Sequence, residues 1–204
     1  MDEVKKSRSQ QKREDILTAA MKIFKEQGVQ ATSMDQLAET ANVSKRTVYN
    51  HFDSKETLVL SLLNEMWEQF MLRTPVEYRS NESIEDQLAL LIEAETNMMC
   101  DHDFVTLARL AMGHFFYSPA KMKDQLDRMR AQETALHRWL KAAIADGKFA
   151  IEDIEYAAEQ IGSLLKGTLF WPVVMCNEEA PTNEIRTHTQ EQTLQMFMSR
   201  YAIT

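Results

Sequence analysis

Residues 32–55 read TSMDQLAETANVSKRTVYNHFDSK, and the reading of this stretch decides the fold. It holds two short helical patterns, each with its own start signal. Ser33 precedes Met34-Asp35-Gln36. That spacing puts a hydroxyl at the N-cap and an amide three residues on, so each side chain can satisfy a backbone N–H that the helix leaves unpaired. Met34, Leu37, Ala38 and Ala41 follow at helical spacing. Asn42-Val43-Ser44 interrupts the pattern, and Ser44 can cap a second helix running from Lys45 to about Phe52. Val48 and Phe52 lie one turn apart and face inward with part of Tyr49. Lys45, Arg46, Thr47, Asn50 and His51 are left on the outer side.

Two short helices across a tight polar turn form a helix-turn-helix, in which the first helix braces and the second presents its N-terminal residues to the major groove of DNA. The outer residues suit that task. Arg46 can donate two hydrogen bonds to guanine, Thr47 can touch a base or a thymine methyl, and Asn50 can pair with adenine. Tyr49, His51 and Lys55 offer donors to phosphate oxygens, which position a protein without reading sequence. With Thr32, Ser33, Ser44 and Lys45 around the helix starts, these residues are the candidate DNA contacts. The same pattern also describes a plain helical hairpin with a solvated basic face, and the flanks decide between the two.

From Arg13 to Leu63 the chain resembles the N-terminal domain of the TetR family of bacterial transcriptional regulators. The resemblance rests on Ile16-Leu17, Ala19-Ala20, Phe24, Gly28, Ala31-Thr32, Leu37-Ala38, Ala41, Val43-Ser44, Thr47, Tyr49, Phe52 and Ser54-Lys55-Glu56, in register and without a gap. Arg46 stands where the family often has Gly, and Asp53 where it often has Pro. The first departure adds a long basic reader and bears on which operator is bound. The resemblance implies a fold of about nine helices: residues 1–57 as a DNA-binding domain and 58–204 as an effector-binding and dimerisation domain.

Composition agrees with an all-helical chain. Only 5 Gly and 4 Pro occur in 204 residues, so turn-formers are scarce, while Ala, Leu, Glu, Gln and Met abound. A net charge of −8 seems wrong for a DNA binder until it is divided. Residues 1–57 carry ten Lys/Arg against nine Asp/Glu, and 58–204 carry thirteen against twenty-two. Phosphate contacts should therefore be local, on an acidic body that discourages indiscriminate polyanion binding. Cys100 and Cys176 lack metal-ligand spacing and read as reduced, buried thiols of a cytoplasmic protein. The longest apolar run, Ile161 to Cys176, contains Lys166 and Pro172 and is too short to cross a bilayer. No metal cluster, phosphate loop or nucleophile–base pair is legible, so neither an enzyme nor a cofactor is expected.

Taken in order, residues 1–9 read as a mobile arm whose Lys5, Lys6 and Arg8 are free to meet phosphate. The first helix runs from about Gln10 to Gln27 and stops at Gly28. A fourth begins near Ser54 and repeats Leu58, Leu62, Met66 and Phe70 before Pro75. Further helices are expected over about 84–100, 103–116, 119–145, 153–176 with a kink at Pro172, and 183–201.

The body is rich in Met and aromatics, which suit an adaptable apolar pocket as well as they suit plain core. The resemblance implies an effector between the helices of the body. The candidate lining is Met66, Phe70, Met99, Phe104, Met112, Phe115, Phe116, Trp139, Leu165 and Trp171, with His114 as a possible polar handle. The penultimate helix is apolar on almost all sides, so it needs a second partner. Its segment AAEQIGSLLKGTLFWPVV resembles AefR-like members of the family. Relatives pair their last two helices with those of a second copy, which gives Ile154, Ala158, Ile161, Leu165, Thr168, Leu194, Phe197 and Tyr201 as a candidate dimer interface. Two functions remain open: a homodimeric repressor released from a palindromic operator by a small apolar or amphipathic effector, or a nucleoid- or division-associated DNA-binding protein that senses no metabolite.

Overall fold

The computed structural model describes residues 7–72, 74–115, 123–124, 127–129, 131–176 and 178–203. These form ten helices: α1 (Arg8–Ala31), α2 (Met34–Thr40), α3 (Lys45–His51), α4 (Lys55–Met71), α5 (Ile84–Met99), α6 (His102–Phe115), α7 (Ala135–Ala145), α8 (Ile154–Leu165), α9 (Trp171–Cys176) and α10 (Asn183–Tyr201). A π-helical turn, Lys166–Phe170, joins α8 to α9. Among the described residues no strand forms, and one antiparallel bridge, Phe149 with Ala202, pins the end of α10 to the α7–α8 connection.

Local chemistry sets the boundaries. Ser7 and Gln10 make a capping box, so α1 starts at Arg8, two residues before the expected start, and the rest of the expected arm, residues 1–6, lies outside the described residues. Gly28 takes φ +80° and ψ 159°, a conformation open to glycine alone, and it bends the chain out of α1. Asn42 enters the left-handed region at φ 52°. Around it the Val43 N–H bonds the Ala38 carbonyl at 3.0 Å and the Asn42 N–H bonds that of Glu39 at 3.1 Å, a Schellman closure of α2. Asn42 is suited to the position because Asn tolerates left-handed backbone better than other residues with a side chain.

Two expectations for the body are corrected. Helix 119–145 is not continuous: the chain leaves helical geometry over 131–134 before α7 begins. There the Thr134 hydroxyl accepts the His137 N–H at 3.3 Å while His137 Nδ1 accepts the Thr134 N–H at 3.3 Å, and this reciprocal cap starts a new helix. The start expected at Ser118-Pro119 lies outside the described residues. In the penultimate helix the irregularity precedes Pro172. Pro172 has no N–H and its ring would press on the carbonyl one turn back, and the wider π turn over Lys166–Phe170 makes room for it.

Two cores result. The head core holds Ile16, Leu37, Val48, Phe52 and Leu58, all nearly inaccessible, and extends to Leu62 of α4 and to Leu107 and Ala111 of α6. The body core is built on Leu88, Ile92, Trp139, Leu140, Ile161, Leu165 and Leu169. Each such side chain contributes about 1.5–3 kcal/mol by leaving water. The cores meet along α4, whose first half belongs to the head while Trp67 lies in the body core and Phe70 packs against it. Its 17 residues make a rod about 25 Å long between the two.

Candidate DNA-binding surface and effector cavity

The second helix of the motif is held by what it buries. Val48 and Phe52 are 0% and 2% exposed, so α3 can present only its other side. Ser44 caps it, its hydroxyl oxygen accepting the Thr47 N–H at 3.1 Å and lying 2.7 Å from the Thr47 hydroxyl. Ser33 caps α2 in the same way through Gln36, with both halves of the capping box formed. The expected readers Arg46, Asn50 and Tyr49 are exposed together with Ser44 and Lys45, and Thr47 and His51 are half-buried beside them. Lys45 Nζ is 2.7 Å from the Asp35 carboxylate, and that bond raises its pKa. Both partners are exposed and screened by water, so a phosphate can take the place of Asp35.

The geometry reassigns two expected contacts. Lys55 Nζ donates to the carbonyls of Thr32 at 2.8 Å, Val29 at 3.0 Å and Gln30 at 3.3 Å. An ammonium has three protons, so all are used on the turn that links α1 to α2. Thr32 is 2% exposed and its hydroxyl donates to the Gly28 carbonyl at 2.8 Å. Both residues fix the turn rather than face outward. Arg13, which drew no notice as a site residue, lies over the Phe52 ring at 5.4 Å and pairs with Glu65 of α4 at 2.7 Å. A second tie joins the head to the body: Lys25 Nζ of α1 meets Asp103 of α6 at 2.5 Å. Neither pair is visible in a sequence because each joins residues more than fifty positions apart.

Of the candidate pocket residues, Phe70 borders a small cleft between α4, α5 and α7, half open to solvent and about 10 Å³ in volume. Met71, Thr74, Leu91, Ala94, Glu95, Ala135 and Leu136 complete its walls. Met66 lines an open groove of about 650 Å³ between α1 and α4. Trp139 is core: its indole N–H donates to Gln87 Oε1 at 3.2 Å, and its ring packs edge-on against Tyr78 and Phe149. Met99, Phe104 and Leu165 are likewise buried, and Met112 is half-buried. Trp171 is 41% exposed on the outer surface. Phe116 and the side chains of His114 and Phe115 lie outside the described residues.

The candidate dimer residues also sort by burial. Ala158, Ile161, Leu165 and Phe197 are spent on the protomer's own core, and Ile154, Leu194 and Tyr201 pack against it. Thr168 is exposed. The apolar side chains that do face outward on these elements are Tyr156, Leu164, Trp171 and Met175 along α8–α9, and Ile185 and Met196 on α10; of these only Trp171 was expected at a site, as pocket lining.

The model of bacterial regulatory proteins of the tetR family matches residues 16–62, and that of the AefR-like transcriptional repressor C-terminal domain matches 86–203. The chain belongs to the TetR family of bacterial transcriptional regulators. It is similar to the crystal structure of a TetR family regulator from Pseudomonas syringae pv. tomato str. DC3000, at 36% identity and a TM-score of 0.73, over 95% of this chain and 98% of that one. It shares 27% identity with the HTH-type transcriptional repressor ComR of Escherichia coli (strain K12), over 80% of this chain and 82% of the relative. With the fatty acid metabolism regulator protein of Bacillus subtilis (strain 168) it shares 26% over 48% of its own length and 50% of the relative's. Two further curated relatives are spanned over 27% and 42% of their length. In TetR terms the matched N-terminal segment contains the α2–α3 motif, and the AefR-like segment contains Glu95, Lys166 and the outward apolar stripe. No helix among the described residues is long and apolar enough to cross a membrane.

Proposed function

We propose that the protein is a homodimeric repressor that binds a palindromic operator and is released from it by a small apolar or amphipathic effector. The observation that carries the DNA reading is the exposed α3 face, where Arg46, Asn50 and Tyr49 stand on a helix fixed by Val48 and Phe52. Arg46 reads a guanine, Asn50 and Thr47 contact neighbouring bases, and Ser33, Ser44, Lys45, Tyr49 and His51 position the backbone. A second copy docks on the stripe of Tyr156, Leu164, Trp171 and Met175 with Ile185 and Met196, and two heads then face two half-sites about one helical turn apart. The working location is the cytoplasm, at the nucleoid when DNA is bound.

The route for release is α4. It carries Leu58 and Leu62 in the head core and Phe70 and Met71 at the cavity wall. A ligand that opens the cavity moves the C-terminal end of this rod and with it the spacing of the heads. Linkage requires the effector to bind the displaced spacing better, and a tenfold loss of operator affinity needs about 1.4 kcal/mol of that preference. The tight cavity favours a second reading, a nucleoid- or division-associated DNA-binding protein that takes no metabolite. A largely buried carboxyl group at that cleft, Glu95, favours the first.

Fluorescence anisotropy on a selected operator tests the DNA reading. Arg46→Ala should cost about 1–3 kcal/mol and relax preference at one position of each half-site. Unchanged affinity and selectivity would remove Arg46 from the base-reading set.

A further inference from the structure

Glu95 is the one acidic residue classed as buried among the described residues, 6% exposed on α5. None of the described groups donates a hydrogen bond to its carboxyl group, and Lys166 acts on it only through space. Both charged tips lie near the bare backbone of Gly162: a Cβ there would lie 3.7 Å from Glu95 Oε2 and 3.4 Å from Lys166 Nζ. Beside them is the small half-open cleft, with Phe70, Met71, Leu91 and Leu136 in its walls and room for a single water.

An acid this deeply buried, with no hydrogen-bond donor and its lysine acting only through space, is costly to keep charged. We infer that Glu95 is the anchor for an effector that carries a protonated amine on an apolar body. The inference rests on the reading of the protein as an effector-released regulator and names the chemical class that its cavity takes. The wall chemistry suits such a ligand: Met71 adapts its shape, and the Phe70 ring face attracts a cation. Lys166 is half-buried, so its long stem can turn the ammonium outward and yield its place to the ligand's. Burial pushes the Glu95 carboxyl up to about 7, so an incoming ammonium draws it fully into the charged form. Any such ligand exceeds the present volume and must displace Phe70 and Met71, the C-terminal end of the helix that reaches the head.

The test uses decylamine, decanol and decanoate, three probes of one length, titrated calorimetrically into the full chain at pH 7.5 below their aggregation concentrations. Wild type should bind decylamine at least tenfold more tightly than decanol, and decylamine should lower operator affinity. Glu95→Gln should erase that preference and keep decanol binding within about threefold, and Lys166→Met should strengthen decylamine. Gln keeps the shape and removes the buried charge, so thermal melting should find this variant at least as stable as wild type. Equal binding of decylamine and decanol by wild type, or a preference that survives Glu95→Gln, would overturn the inference and leave the effector reading standing. A preference for decanoate would make Lys166 the anchor and overturn it as well. Binding of none of the three would overturn both.

Discussion

Replacing Lys55 by Met separates a structural lysine from a DNA-contacting one. Met keeps most of the aliphatic stem and removes the ammonium, leaving the carbonyls of Val29, Gln30 and Thr32 without their shared donor. A hydrogen bond from a charged donor contributes about 1.5–3 kcal/mol, but three bonds to one ammonium are not independent. The carbonyl of exposed Gln30 can turn to water, whereas Val29 and Thr32 are 7% and 2% exposed and lose more. The expected loss of head stability is about 2 kcal/mol, read as a shift in the urea midpoint at unchanged slope. Operator binding at a temperature well below the melt should keep its salt dependence, because no phosphate contact is removed. A phosphate-contacting Lys55 predicts the reverse: unchanged stability and a slope of log affinity against log salt smaller by about 0.9 per head, or about 1.8 for the dimer. That second pattern would refute the assignment.

Other consequences follow from single residues. Gly28→Ala should lose about 1–3 kcal/mol in the same urea titration purely from backbone strain, since an added Cβ meets nothing within 4 Å of a residue at φ +80°. An unchanged midpoint would mean the turn relaxes freely. Glu95→Gln should stabilise the fold in a pH-dependent way. An acid whose folded pKa is raised carries no penalty below its unfolded value of 4.5, and the penalty grows until pH passes about 7. The gain over wild type should thus be near zero at pH 4 and about 3 kcal/mol at pH 8. Lys166 is the charged group facing Glu95, and the cavity walls from α4 and α7 add none. A gain independent of pH would contradict the burial argument. Tyr156→Glu with Met175→Glu should shift sedimentation from dimer to monomer at micromolar concentration, and a persistent dimer would move the interface elsewhere.

What could be read in advance was local. Ser33 with Gln36, Ser44 with Thr47, the break at Asn42 and the stop at Gly28 are interactions within a few residues, and spacing in the chain encodes them directly. The caps therefore stand where the sequence places them. The bonds of Lys55 were not legible because its partners on the α1–α2 turn lie about twenty-five residues back, and a lysine beside a reading helix gives no hint of them. Ile161, Leu165 and Phe197 were misread for a related reason: an apolar stripe records burial but not what covers it. Their own protomer covers these, and the side chains left outside, Tyr156 and Met175, are the ones free for a partner. The π turn before Pro172 and the cap at Thr134–His137 are choices between nearly equal backbone paths, settled by neighbours that a one-dimensional pattern does not contain. Glu95 carries a signal of its own, an acid at helical spacing with Leu88, Leu91, Ile92 and Met99 on the buried side of α5.

The most direct test of the central claim is selection of genomic DNA fragments by the purified full chain at near-physiological salt. The account predicts enrichment of one palindrome with two half-sites about a helical turn apart, and loss of that enrichment in Arg46→Ala. Broad recovery that weakens with salt and yields no motif would contradict a sequence-specific dimeric regulator.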